Sequence, residues 1–152
     1  MAAVLAQYFR PIPLVIRYDR VVAVPRVLVV DDNAVNLELA TVLLENEGFD
    51  VKAVNDAEAA LNSLETDRPD IFVIDVQLPG LSGIDLLSIL RSRQETCEVC
   101  AVVVTSYAME EEKERVHVAG CDGCFTKPID TRSFASDVRR IYETRRESAA
   151  RR

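Results

Sequence analysis

The chain contains no long apolar run, only one histidine, and no excess of basic charge except at its two ends. No apolar segment approaches the roughly 20 residues that a transmembrane helix needs. The opening MAAVLAQYF lacks the charged region of a secretory signal and is followed by Arg10 and Pro11. These absences favour a cytoplasmic protein with no membrane partner, in which the cysteines stay reduced.

Charge is distributed unevenly along the chain. The formal net charge of the chain is −7. Residues 1–25 carry +2 and residues 139–152 carry +4, which leaves a charge of −13 on residues 26–138. An acidic body repels phosphate backbones, and we therefore expect no nucleic-acid partner. The arginine-rich end is interpreted as the solvated end of a helix.

The length of 152 residues, with 49% hydrophobic residues, fits a single domain without internal repeats. Residues 1–25 contain three prolines and no clean periodicity, which predicts an N-terminal extension outside the core that the domain does not need. We place the domain at residues 26–146 and a basic C-terminal tail at residues 147–152.

Short apolar or β-branched runs alternate with segments of helical spacing from residue 26 onward. Continuous apolar strands indicate a parallel sheet covered on both faces, with right-handed crossovers. The pattern therefore predicts a three-layer α/β domain with five strands and five helices. The strand runs are VLVV (27–30), VKAV (51–54), IFVID (71–75), AVVVT (101–105) and CFT (124–126).

Two helix boundaries carry recognisable end signals. Asn55 with Glu58 three positions later has capping-box spacing, which predicts that a helix begins after Asn55. Gly48 follows the first helical run, where a glycine commonly ends a helix.

Polar residues lie at the ends of the first, third, fourth and fifth strand runs. The carboxyl ends of parallel strands meet at one edge of the sheet, where ligands bind. Three carboxylates held together repel one another unless a cation intervenes, and Mg²⁺ or Mn²⁺ accepts carboxylate ligands and phosphate oxygens. This set suits phosphoryl transfer with a carboxylate nucleophile. Its members are Asp31, Asp32, Asp75, Thr105, Ser106 and Lys127.

Four motifs in this order and spacing, VLVVDDN, FVIDVQLPGLSG, VVVTSYA and FTKPI, resemble the receiver domain of bacterial two-component response regulators. The resemblance covers about residues 26–145. It implies a flavodoxin-like three-layer fold whose five-stranded parallel sheet has the order 2-1-3-4-5.

The resemblance also implies the role of each site residue. Asp75 would accept the phosphoryl group, Thr105 would contact that group and Lys127 would pair with it. Mg²⁺ would be held by Asp31, Asp32, Asp75 and the backbone carbonyl of Gln77. The Lys127–Pro128 peptide bond would be cis, Ser106 would leave room for the phosphoryl group, and Gly80 and Gly83 would let the loop after Asp75 turn sharply.

The implied function is that of a phospho-acceptor in signal transduction. The domain would take a phosphoryl group from a histidine kinase or histidine phosphotransfer protein, and catalyse only its own phosphorylation and dephosphorylation. It would signal to a downstream protein through the surface of the fourth helix, fifth strand and fifth helix.

Because the sequence stops after the fifth helix, we favour a stand-alone protein. The alternatives are a module separated from a hybrid kinase or multidomain regulator, and a phosphate sink or shuttle in a phosphorelay.

Two other classes with similar chemistry fit the residues less well. A phosphatase of the haloacid dehalogenase type needs a second Asp two residues after the nucleophile, and position 77 is Gln. A flavodoxin needs a phosphate loop rich in hydroxyls and glycine after the first strand, whereas DDNAVN is acidic. His117 lies in a helical stretch, and we expect no phosphodonor role for it.

The cysteines allow two interpretations. Cys97-x-x-Cys100 followed by Cys121-x-x-Cys124 has the spacing of a zinc ribbon. Alternatively, Cys100 and Cys124 pack within strands as small apolar residues. Cys97 and Cys121 then lie in loops at the edge opposite the acidic site, where metal binding and disulfide formation are both alternatives.

Position 124 is where the resemblance implies an aromatic switch residue. The nearest aromatic, Phe125, is predicted to point to the opposite face of the sheet. We therefore expect weak coupling between phosphorylation and the signalling surface, with Tyr107 as the best substitute switch.

Overall fold

The computed structural model describes residues 14–17, 20–107 and 109–151. A short hairpin precedes an alternating series of strands and helices. The elements are β1 (Leu14–Arg17), β2 (Arg20–Ala23), β3 (Arg26–Val30), α1 (Ala34–Asn46), β4 (Asp50–Val54), α2 (Ala57–Ser63), β5 (Ile71–Asp75), α3 (Gly83–Ser92), β6 (Cys100–Thr105), α4 (Glu110–Val118), β7 (Gly123–Thr126) and α5 (Phe134–Ala150).

Strands β3 to β7 form one parallel sheet in the order β4-β3-β5-β6-β7. Counted from β3 as the first strand, this is the predicted order 2-1-3-4-5, and the sheet is flanked by the predicted five helices. Strands β1 and β2 pair antiparallel in a separate two-stranded sheet. That pairing was not foreseen from the sequence, and the domain limits at residues 26 and 146 stay predictions.

Side chains of the central strands alternate between two apolar layers. On the α2–α4 face, Leu28, Phe72 and Val103 pack against α2, α3 and α4. On the α1–α5 face, Val29 and Val73, with their neighbours, pack against α1 and α5. Because both faces of the sheet are covered, β5 and β6 are buried at every position, which explains why their sequences are almost continuously apolar.

Two helix ends differ in how well the sequence predicted them. Helix α1 ends before Gly48, whose φ of 100° gives the left-handed conformation expected of a glycine stop. Helix α2 is capped by Asp56, whose Oδ1 accepts from the Ala59 N–H at 2.7 Å, so the prediction of Asn55 as the cap was wrong by one residue. Burial of Ala57 against the sheet sets the phase of this helix.

Helix α4 has the fewest buried side chains of the described helices, with Val116 alone inside the core. Its N-cap residue, Met109, makes no side-chain capping hydrogen bond. The acidic first turn, Glu110 to Glu112, interacts favourably with the positive end of the helix dipole. None of the described helices combines the length and the apolar character needed to cross a bilayer.

An arginine clamp closes the edge of the sheet opposite the acidic strand ends. Arg91, near the end of α3, donates to the carbonyl of Val99 at 2.6 Å and to that of Gly120 at 2.9 Å. It also donates to Asp122 at 3.1 Å. Asp122 in turn accepts from the Ala101 N–H at 2.9 Å and pairs with Arg145 of α5. One side chain therefore joins α3 to the loops before β6 and β7.

We expect Arg91→Met to lower the free energy of unfolding by about 2–4 kcal/mol, because several shielded carbonyls lose a donor and Asp122 loses one of its three. Urea denaturation measures this change. The control is Arg93→Met, on an exposed side chain two residues later, for which a change within about 0.5 kcal/mol is expected. Equal effects of the two substitutions would show that the clamp does not stabilise the fold.

Candidate functional site

The carboxyl ends of β3 and β5 bring three aspartates together. Carboxylate oxygens of Asp31, Asp32 and Asp75 all lie within 4.8 Å of one another. Asp31 and Asp75 are buried, whereas Asp32 is exposed. Within the described ranges this is the metal-ligating group that the fold assembles, and it contains no cysteine.

Lys127 joins the group from the end of β7. Its Nζ lies 2.9 Å from Asp75 Oδ2 and 3.4 Å from Asp31 Oδ2. Burial acts to lower the pKa of Lys127, but the hydrogen bond and charge of Asp75, together with Asp31, raise it above its ordinary value. The Lys127–Pro128 bond is cis, as the resemblance implied. Lys127 is therefore a charged partner for the two buried carboxylates.

The remaining negative charge of the group fits a divalent cation. Burial raises the pKa of Asp31, the hydrogen bond from the Asn33 N–H lowers it, the charge of Asp75 raises it, and Lys127 lowers it again, with a net rise. Three carboxylates thus face one ammonium group. Oxygen ligands that lie this close and include an exposed carboxylate suit Mg²⁺ or Mn²⁺.

Gln77 follows Asp75 in the loop after β5. Its backbone N–H donates to Asp75 Oδ1 at 3.0 Å, which helps to orient the carboxylate. The expected use of its carbonyl as a metal ligand stays a prediction.

Thr105 is buried at the end of β6, and its hydroxyl makes a hydrogen bond to a residue of α4. Thr105 Oγ1 accepts from the Tyr107 N–H at 3.1 Å and forms a hydrogen bond with the carboxylate of Glu112 in α4. Strand alternation explains the direction, because Thr105 belongs to the α2–α4 face and Asp75 to the α1–α5 face. The expected contact between Thr105 and a phosphoryl group stays a prediction.

Sequence reasoning missed Glu112 as a site residue. The only available signal is an acid seven positions after Thr105, in the first turn of the following helix. Glu110 and Glu111 precede it and look the same in the sequence, so only the fold selects one of the three.

A cavity of about 330 Å³ opens beside Asp75 on the α1–α5 face. Its polar wall includes Asp31, Asp75, Lys127 and Ser106. Ser106 therefore borders open space, and its expected part in making room for a phosphoryl group stays a prediction. The rest of the cavity wall is mainly apolar and includes Leu39, Val73, Val104 and Phe134. The cavity therefore reaches the buried Asp75 carboxylate.

The two glycines after Asp75 have different roles. Gly80 has a φ of 72°, so it makes the predicted turn. Gly83 has no positive φ; instead, a Cβ at this position would lie 2.0 Å from the backbone oxygen of Asp75. The explanation of Gly83 by a turn was therefore wrong, and close approach of α3 to the end of β5 is what excludes a side chain.

The cysteines occupy different environments, and all four are free. Cys100 is buried, and burial raises the pKa of its thiol to about 12. Cys97 and Cys121 lie in loops as predicted, and burial raises the pKa of Cys121 to about 11. Within the described residues the four thiols do not come together into a group that could hold a metal ion, so the structure gives no support to the zinc-ribbon interpretation.

Cys124 does not pack inside the sheet as predicted, since its side chain is exposed. It lies on the edge strand β7, on the α2–α4 face, where helix α4 covers little of the sheet. The prediction for Phe125 is confirmed: it packs on the opposite face, with its ring centroid 5.0 Å from that of Phe134.

Comparison with known proteins finds a domain similar to this chain in other proteins. Residues 27–139 match the response regulator receiver domain family. The chain is 30% identical over 113 residues to the polar-differentiation response regulator DivK of Brucella anthropi, covering 74% of this chain and 92% of DivK. It is 40% identical over 117 residues to the sensor histidine kinase GacS of Pseudomonas protegens, covering 75% of this chain but only 13% of GacS.

A solved structure agrees with these sequence matches. The receiver domain of the sensor histidine kinase PA1611 from Pseudomonas aeruginosa PAO1 superposes with a TM-score of 0.72 at 26% identity. The match covers 80% of this chain and 99% of that domain.

Proposed function

Because this chain belongs to the response regulator receiver domain family, we propose that Asp75 is the residue on which it accepts a phosphoryl group. The observation that carries this assignment is the position of the Asp75 carboxylate. It is 3% exposed, pairs with Lys127 at 2.9 Å and shares the metal-ligating group with Asp31 and Asp32. Asp31 also contacts Lys127 and lines the cavity, but its carboxylate lies 3.4 Å from Lys127 Nζ against 2.9 Å for Asp75. Asp32 is exposed, so Asp75 is the most buried of the three and the one closest to the lysine.

In the proposed reaction a carboxylate oxygen of Asp75 attacks phosphorus and forms a new P–O bond. The bond from phosphorus to the donor, a phosphohistidine nitrogen or an acyl oxygen, breaks, and the leaving group keeps the electron pair. Lys127 lies where its positive charge can offset the charge of the phosphoryl oxygens.

The metal would be held by Asp31, Asp32, Asp75 and the Gln77 carbonyl. When bound, it would supply positive charge for the phosphoryl oxygens. The related PA1611 receiver domain is described with a magnesium ion coordinated in its active site cleft, which supports Mg²⁺ here.

Donors and targets follow from the same family membership. A histidine kinase or a histidine phosphotransfer protein would supply the phosphoryl group. A downstream protein would bind the surface of α4, β7 and α5. Receiver domains are not classical enzymes, and this one would catalyse only its own phosphorylation and dephosphorylation. Residues 1–25 and 147–152 would lie outside the phosphoryl-accepting unit.

A second candidate follows from the match to GacS. The identity to this sensor kinase, 40%, is higher than the 30% to DivK, and the chain spans only 13% of GacS. A receiver module of a hybrid kinase, passing its phosphoryl group onward in a relay, is therefore an alternative to a stand-alone regulator like DivK.

The experiment is to incubate the chain with a radiolabelled acyl phosphate, with Mg²⁺ or with excess chelator. We expect label only with Mg²⁺, confined to the peptide that contains Asp75 after digestion at low pH. Hydroxylamine should release it, since an acyl phosphate is cleaved and a phosphorylated hydroxyl is not. Label on another peptide, or full labelling in chelator, would contradict the proposal.

A further inference from the structure

Thr105 and Glu112 form a direct contact between the end of β6 and the first turn of α4. Thr105 is fully buried and Glu112 is half-buried, so the contact is largely shielded from solvent. A hydrogen bond between a hydroxyl and a carboxylate is among the stronger hydrogen bonds in proteins, because the acceptor is charged.

A threonine hydroxyl has one proton to donate. The Tyr107 N–H already donates to Thr105 Oγ1 at 3.1 Å, and the Tyr107 carbonyl lies 3.2 Å from the same atom. The hydroxyl proton therefore has two acceptors in reach, of which the Glu112 carboxylate is the charged one. While the Thr105 hydroxyl donates its proton to Glu112, it cannot donate to an oxygen of a group attached to Asp75.

The charge of Glu112 also acts on position 124 of β7, where the resemblance implies an aromatic residue. Partial shielding raises the pKa of the exposed Cys124 thiol, the charge of Lys113 lowers it, and the charge of Glu112 raises it. The charge of Glu112 therefore acts on Cys124 in β7, while its carboxylate contacts Thr105 directly. A movement of Glu112 therefore changes the charge at the surface of α4 and β7, and it needs no aromatic side chain to do so.

We propose that Glu112 is a positioning residue of this site, which holds the Thr105 hydroxyl on the α4 side until a phosphoryl group on Asp75 competes for its proton. This inference rests on the proposed function, because it takes Asp75 as the phosphorylated residue. Transfer of the hydrogen bond to the phosphoryl oxygen frees the carboxylate of Glu112. The first turn of α4 then loses this hydrogen bond to the end of β6.

The test measures the affinity of the chain for beryllium fluoride, a phosphoryl analogue, in the presence of Mg²⁺. Glu112→Ala removes the competing acceptor, so we expect the analogue to bind about 5- to 20-fold more tightly than to the wild type. Glu112→Gln keeps an uncharged acceptor and should give an intermediate gain. The matched control is Glu111→Ala, which removes the same charge from an exposed neighbour and should change affinity by less than about twofold.

A double-mutant cycle separates positioning from a general effect on the helix. Thr105→Val removes the hydroxyl, and in that background Glu112→Ala should change analogue affinity by less than about twofold. An undiminished gain without the hydroxyl, equal gains from Glu111→Ala and Glu112→Ala, or weaker binding by Glu112→Ala would overturn the inference. Wild-type protein that neither binds the analogue nor labels at Asp75 would overturn the proposed function and this inference with it.

Discussion

Asp75→Asn protein is expected to show no phosphoryl label on the peptide that carries position 75. The amide is neutral and is a far weaker nucleophile than the carboxylate. The substitution also removes one of the three carboxylates of the metal-ligating group and weakens the charged hydrogen bond from Lys127. Attack and metal binding are therefore both reduced by a change of one functional group.

The fold is expected to survive this substitution. Asn has nearly the volume of Asp, and Lys127 keeps a carboxylate partner in Asp31 at 3.4 Å. Circular dichroism checks the fold, and labelling with an acyl phosphate and Mg²⁺ checks the chemistry. The control is Asp137→Asn on α5, which removes an acid that pairs with Arg140 and does not line the cavity, and it should leave labelling within about twofold of wild type. Wild-type labelling of the Asp75→Asn protein at the same peptide would show that another residue accepts the group.

Gly83→Ala is expected to lower the free energy of unfolding by about 3 kcal/mol or more. The new Cβ would lie 2.0 Å from the Asp75 oxygen and 2.8 Å from both the Asp75 carbonyl carbon and the Val76 Cα. All three atoms are backbone, so a side-chain rotation cannot relieve the clash. Either α3 or the end of β5 has to move, and that movement displaces Asp75.

Urea denaturation and Asp75 labelling together measure this effect, and both should fall. Gly80→Ala is the matched control, because it lies in the same loop but has nothing within 4 Å of the added Cβ. Its φ of 72° costs about 1 kcal/mol for a non-glycine residue. If Gly83→Ala were no more destabilising than Gly80→Ala, close approach would not explain the glycine.

The strand pattern was readable because both sheet faces are covered. Runs such as IFVID and AVVVT are apolar at almost every position, which only a sheet buried on both sides requires. Parallel pairing then places the residues after each run at one edge. That is why Asp31, Asp75 and Lys127 could be grouped from sequence although they are far apart along the chain.

Other features depend on contacts that no local pattern encodes. Arg91 pairs with Asp122, 31 positions away, and nothing in the spacing of these residues marks the pair. Glu112 is one of three consecutive glutamates, and only helix phase decides which of them reaches Thr105. The exposure of Cys124 depends on how little α4 covers the edge strand, which alternation within β7 does not reveal.

The scarce burial of α4 has a consequence for local unfolding. With Val116 as its single buried side chain, α4 can open while removing only one buried side chain from the α2–α4 layer, and the α1–α5 layer keeps all its contacts. Its backbone amides should exchange with solvent through openings that cost less free energy than global unfolding, whereas those of the central strands should exchange only when the whole domain unfolds. A rearrangement confined to α4 therefore costs only a small part of the free energy of global unfolding. The acidic site can remain assembled while the helix moves.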